Sequence, residues 1–147
     1  METSFCPQKI IDYHSMIKKL FTDYFFSLGY QEHAPTSIIS FDDHSVQFIG
    51  STTNVFKPYI LNNSLIPPKG LFLIQKCLRS QNAKSFWDDN IFPEWASYFT
   101  ELGLITIPDN AMNLITDIIK YFIDILEIES ERMCLRVSSR DQDLLKH

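Results

Sequence analysis

The sequence predicts an α+β protein, a small and mostly antiparallel sheet flanked by helices. Three observations point there. An apolar stripe with helical spacing runs from Ile10 to Leu28. Two short runs, 71–78 and 97–107, read as a pair of strands, and a second wide helical face follows Pro108.

In residues 9–28, apolar side chains recur at Ile10, Tyr13, Ile17, Leu20, Phe21, Tyr24, Phe25 and Leu28, the spacing of one helix face. Gly29 is the natural stop, because a residue without Cβ takes the left-handed conformation that closes a helix. Pro35 and the polar "PTS" lead into a short apolar stretch, 37–41. "DDHS" then makes a turn, and 46–49 reads as a strand. Residues 51–61 are either a short helix interrupted by Pro58 or an irregular loop, since proline lacks the N–H a helix interior needs. "NNSLIPPKG" is a connector, and "LFLIQKCL" (71–78) is a strand. "SQNAKSFWDDN" is a polar loop holding Phe86 and Trp87. Residues 97–107 partly alternate and end in β-branched side chains, the pattern of a second strand. Pro108 and Asp109 then open a helix over about 109–128. Its apolar face is Leu114, Ile115, Ile118, Ile119, Phe122, Ile125 and Leu126. Residues 133–137 read as a last strand and 140–146 as a last short helix.

The chain has 147 residues, no internal repeat and no clear linker, so a single domain over 1–147 is expected. A 45% hydrophobic content with 14% aromatics is ample for a packed core and argues against disorder. The net charge of −5 excludes a general nucleic-acid binder but leaves room for a local basic face. Cys6, Cys77 and Cys134 are far apart, with no paired-cysteine motif and no Cys/His cluster, so no metal site is expected. The odd cysteine count and an N-terminus without an apolar leader point to the cytoplasm. No apolar run approaches the roughly 20 residues of a membrane helix.

Against that acidic background, residues 44–87 contain no Asp or Glu but carry Lys57, Lys69, Lys76, Arg79 and Lys84. Such a basic island suits ATP, a tRNA acceptor end or an acidic partner; the alternative is an accident of composition or an inherited relic. Phe86, Trp87 and Trp95 are candidates for stacking a base, or for covering the core. His14, His33 and His44 have no Cys or carboxylate at ligand spacing and read as surface or turn residues. Cys77, on a strand beside Arg79, reads as a buried apolar filler. Tyr121, Ile123 and Ile128 exceed one amphipathic face, which suggests a homodimer or a protein partner through the helix 110–128; the alternative is a helix central to a small core.

The order of these elements and several of their motifs resemble the N-terminal part of the alanyl-tRNA synthetase catalytic domain, a class II synthetase fold. "LFTDYFFSLGY" is similar to the family's first helix, which ends in a phenylalanine pair and Gly-His. "APTSIISFDD" (34–43) resembles its first class motif. "NVFKPYIL" is close to the family's "NQFKPYFLG". "QKCLRS" resembles "QKCIRAGG", and "SYFTELG" resembles "TFFEMLG", the two halves of the second class motif, here spread over 71–107. "ERMCLRVSSRDQD" is similar to the stretch that follows the long helix. The resemblance runs from about Ile10 to the end and is most specific in the centre.

The resemblance implies a shortened class II catalytic module and assigns roles residue by residue. Arg79 holds the position of the arginine that binds ATP phosphates and the adenylate, with Lys76 as the second cation beside it. Asn54 and Lys57 stand at the family's Asn and Lys of the NxFKPY element. ATP is the implied cofactor, and an aminoacyl-adenylate or a tRNA acceptor end the implied partner. The departures matter equally. The glycine-rich loop after the arginine is replaced by "SQNAKSFWDD", without glycine. The family's His-His is Trp95-Ala96, and its small close-approach glycine is displaced to Gly50. The family's Glu is Thr100, with Glu101 adjacent, and its later asparagine is Leu104. The sequence stops before the third class motif, which supplies a second ATP arginine, so stand-alone adenylate formation is not expected. Catalytic residues are unassigned. Three readings follow: a synthetase-like binder acting with other components, including outside translation; a non-catalytic paralogue that binds or regulates; and one subunit of a split enzyme.

Overall fold

A computed structural model describes residues 7–40, 45–80 and 96–134. Its first helix, α1 (Pro7–Ser27), stops at the predicted glycine. Gly29 takes φ +87°, its N–H bonds the Phe26 carbonyl at 3.0 Å, and the N–H of Tyr30 bonds the Phe25 carbonyl at 3.1 Å. These two bonds form a Schellman closure, and its usual apolar contact is Tyr30 edge-on to Phe25 at 5.4 Å between ring centroids. The stripe on α1 is used unevenly. Phe21 and Phe25 are buried, whereas Ile10 and Tyr13 are 43% and 59% exposed.

The closure turns the chain into β1 (Gln31–Glu32), which runs parallel to β2 (Leu71–Leu78) with Gln31 opposite Leu71. β2 pairs antiparallel with β3 (Tyr98–Ile105), from Leu71↔Ile105 to Leu78↔Tyr98. The sheet is therefore α+β in context but mixed, in the order β1-β2-β3, with its long pair antiparallel and a parallel edge. Residues 46–49 do not form a strand. They make one antiparallel bridge, Ile39↔Phe48, and Leu78 then donates to the Ile49 carbonyl at 2.9 Å.

β2 is the centre of the molecule because both its faces are covered. Leu71, Leu73 and Cys77 pack with Val55 and Phe56 of α2 (Thr52–Leu61). Phe72 packs with Phe21, Phe25, Tyr30 and Tyr121, flanked by side chains of α3 (Ala111–Lys120). A central strand buried on both sides reads as a near-continuous apolar run, which is how "LFLIQKCL" reads. Of the two polar residues in it, Lys76 is exposed, whereas Gln75 is fully buried and treats Thr36 as a strand partner: its Oε1 accepts from the Thr36 N–H at 2.9 Å and its Nε2 donates to the Thr36 carbonyl at 3.0 Å.

Segment 51–61 resolves to an uninterrupted helix, with Pro58 inside it and the Pro58 carbonyl accepting from the N–H of Asn62 at 3.0 Å. The last helix is shorter than the expected 109–128. A 3₁₀ turn, Pro108–Asn110, leads into α3, and a π turn, Tyr121–Ile125, ends it, with the Leu126 N–H on the Tyr121 carbonyl at 3.1 Å. Tyr121 is only 4% exposed and lies on the inner face, three and four residues from Ile118 and Ile125. It therefore belongs to the core and lends nothing to a second contact surface. Ile123 remains 38% exposed. A 3₁₀ turn, Ser130–Arg132, follows, and Met133 and Cys134 are not in a strand. The rest of the expected last strand and the last helix lie outside the described residues.

α3 is tied to the sheet by Asp117. Its carboxylate accepts from the Tyr30 hydroxyl at 2.9 Å and pairs with Lys69 at 2.9 Å, and its main-chain carbonyl accepts from the Tyr24 hydroxyl at 3.1 Å. Lys69 also sits 5.1 Å from the Tyr30 ring centroid. No helix among the described residues is long and apolar enough to cross a membrane.

Candidate functional site

The N-terminus of α2 meets the end of β2 and the middle of β3, and several residues of the sequence motifs converge there. Ser51 is the extended N-cap residue. Asn54 reaches back over it, its Oδ1 accepting from the backbone N–H of Gly50 and of Ser51, both at 3.1 Å. This is the reciprocal half of a capping box, built with asparagine instead of the usual Glu or Gln. Thr52 donates to Glu101 of β3 twice, from its N–H at 3.3 Å and its hydroxyl at 3.2 Å. A carboxylate there satisfies an orphan helix donor and faces the positive end of the helix dipole. Gly103 makes the approach feasible, since a Cβ at that position would stand 2.6 Å from Thr52 side-chain atoms.

Arg79 follows β2 directly. Its N–H bonds the Ser97 carbonyl at 2.8 Å, its Nε donates to the Gly50 carbonyl at 2.9 Å, and its guanidinium stacks 4.8 Å from the Phe99 ring centroid. Among the described residues its two Nη groups carry no hydrogen bond, and the ion pairs are Lys19–Asp23 and Lys69–Asp117. The side chain is thus aimed by two groups, and among the described residues its planar fork is left unused. Asn54 and Arg79 hold opposite ends of one residue: the Asn54 Oδ1 takes the Gly50 N–H, and the Arg79 Nε gives to the Gly50 carbonyl.

Strand parity decides which other residues join them. Gln75 is opposite Glu101 and Cys77 opposite Phe99, so all four face α2; Lys76 is opposite Thr100 and belongs to the other face. Glu101 is on the α2 side of the sheet, and Thr100, where the resemblance puts the family's Glu, is not. Lys57 lies one turn along α2 from Asn54, with its Nζ 3.0 Å from the Ser45 hydroxyl, and both line a groove of about 710 Å³. Lys69 turns to Asp117. Among the described residues, Lys57, Lys69, Lys76 and Arg79 therefore do not form one basic patch. Later elements bring acids to the acid-free window, Glu101 from β3 and Asp117 from α3, and alternation sends Lys76 across the sheet. Lys84, Phe86, Trp87 and Trp95 lie outside the described residues.

Cys77 is fully buried, and its Sγ is 3.7 Å from a Glu101 oxygen. Burial first, then the Glu101 carboxylate, push its thiol up to about 11 against the opposing pull of Arg79. A thiol held protonated at neutral pH is a packing group, not a nucleophile. His33 packs edge-on against Phe56 and Tyr59 at 6.1 and 5.5 Å, a side-chain role in the wall of α2. Among the described residues no group of three His, Cys, Asp or Glu is placed to hold a metal ion.

Thr52, Glu101, Phe99 and Gln75 had no assigned part in the sequence reading. For Glu101 and Phe99 the available signal was period-two alternation, which puts both on one face with Gly103. Thr52 carried no such signal, because its role arises only when α2 docks on β3. No protein-family model matches the chain, and no curated protein matches it.

Proposed function

We propose that this chain is an alanyl-tRNA synthetase-like protein that binds ATP, an aminoacyl-adenylate or the acceptor end of a tRNA, and acts with other components, including in a pathway outside translation. The observation that carries this reading is the aimed guanidinium of Arg79, fixed by the Gly50 carbonyl and the Phe99 ring with both Nη groups unused among the described residues. A planar fork of that kind takes a phosphate or adenylate oxygen pair bidentately. Asn54 supports the reading by fixing the Gly50 carbonyl that aims it. Lys57 adds positive charge one turn away. Lys76 would contribute only from the opposite side of the strand.

Titration calorimetry of the full chain with ATP and with a non-hydrolysable alanyl-adenylate analogue tests this. Saturable binding is expected, and Arg79→Ala should weaken it about tenfold or more, the worth of one hydrogen bond to a charged group. Absence of binding, or binding untouched by Arg79→Ala, would overturn it.

A second reading, a non-catalytic paralogue that binds or regulates, is favoured by Glu101. Its carboxylate sits at the α2 N-terminus, where a phosphate would otherwise find free N–H groups and the dipole. On this reading Glu101 keeps phosphates out, so ATP binds only once Glu101→Gln removes the carboxylate charge. Saturable ATP binding by the unaltered chain would decide for the first reading.

A further inference from the structure

On the α1–α3 side of the sheet, away from Glu101 and Asn54, the chain has a cavity of about 760 Å³. That size falls within the range of small-molecule sites. Leu102 and Leu104 of β3 form part of its wall, with Phe21 of α1 and Phe122 of the π turn. Such apolar surface alone would say little. Three further features distinguish this cavity.

First, Tyr121 lines it, and the Tyr121 hydroxyl is the buried side-chain polar atom left without a hydrogen-bond partner among the described residues. A buried hydroxyl without a partner costs about 1–3 kcal/mol, and native proteins leave few of them. Burial raises this phenol above its ordinary value, and Tyr13 raises it further, so the group stays a donor. Second, Lys18 is the charged residue of the described lining, so the charge on the cavity is positive. His14 and Lys18, one helical turn apart on α1, line it next to Tyr13, and no described lining residue is an Asp or Glu, in a chain of net charge −5. Third, Tyr121 begins the π turn Tyr121–Ile125, and single π turns occur frequently at functional sites.

From this geometry we infer that the cavity is a binding site for an amphipathic monocarboxylate. The apolar body lies over Leu102 and Leu104, and the carboxylate is taken by Lys18 and the Tyr121 hydroxyl, both on residues that line the cavity. The site meets the Arg79 corner at Phe99, which lines the cavity and carries the Arg79 guanidinium, but it does not depend on the function proposed for that corner.

The test uses the full chain, with decanoate as probe, followed by displacement of 1-anilinonaphthalene-8-sulfonate and by calorimetry. One saturable site is expected, with decanol at least tenfold weaker and ATP unable to displace decanoate. Lys18→Gln, at a partly exposed position, should weaken decanoate several-fold and leave decanol unchanged. Tyr121→Phe should also weaken decanoate, while the melting temperature stays the same or rises because the unpaired hydroxyl is gone. A purely structural Tyr121 would show no change in binding. No saturable binding, equal affinity for decanol, or affinity untouched by both substitutions would overturn the proposal. So would a concentration-dependent dimer that excludes the dye, since the cavity would then belong to a second copy of the chain.

Discussion

Asp117 joins three parts of the molecule through one residue. Its carboxylate receives the Tyr30 hydroxyl and Lys69, and its main chain receives the Tyr24 hydroxyl, so α1, the entry to β2 and α3 all depend on it. Its side chain is 13% exposed and that of Lys69 is 33% exposed, so the pair is only partly screened by water. Asp117→Asn keeps the shape but leaves Lys69 half-buried without its counter-charge. A loss of about 1–3 kcal/mol in urea unfolding is expected; an unchanged midpoint would show that water replaces the carboxylate. Arg79 and Lys76 make the same residue-scale point. They are three positions apart on an extended chain, which puts them on opposite faces, and only Arg79 meets Gly50.

At the scale of elements, the docking of α2 on β3 positions the candidate site. Thr52 sits against Gly103 so closely that a methyl group there would stand 2.6 Å from it. Gly103→Ala must push α2 away or distort the strand. Overpacking of this kind costs about 1–3 kcal/mol, and the shift would lengthen both Thr52–Glu101 bonds and move the Gly50 carbonyl that aims Arg79. The expected result is a lower melting temperature together with weaker ATP binding; a loss of stability with ATP affinity intact would separate the two. Pro58 shows the opposite balance, where a residue that should end a helix is carried by packing. Val55, Phe56 and Tyr59 around it belong to the α2 cluster, and that burial outweighs the missing N–H.

At the scale of the whole molecule, one strand is covered on both sides, by α2 on one face and by α1 and α3 on the other. Several weak acids end up in those two layers. Tyr24, Tyr30 and Tyr121 are raised above 10.0, chiefly by burial and for the first two also by Asp117, and Cys77 is raised from 9.0 to about 11. For each, the folded value lies above the unfolded one. The stability they confer is fully present below the unfolded value and is lost as pH rises through the folded value. The urea midpoint should therefore be level across neutral pH and begin to fall above about pH 9, steepening past pH 10. A midpoint level to pH 11 would contradict this placement.

The first helix and its stop, β2, β3 and the start of the last helix were legible in the sequence, because each rests on a local cause. Apolar spacing sets the helical and extended segments, Gly29 alone tolerates the positive φ of the closure, and Pro108 suits a helix start. Asn54 and Arg79 were legible as candidates from their motif, and Glu101 was visible only as a neighbour of the expected acid. What the tertiary structure alone decided depends on contacts between distant segments. It added the parallel edge β1, turned Tyr121 into the core, sent Lys69 to Asp117, and set Glu101 at the head of α2. The acid-free window in the sequence was real, but charge acts through space. Among the described residues, acids reach it from β3 and α3, and no local pattern within residues 44–87 could announce them.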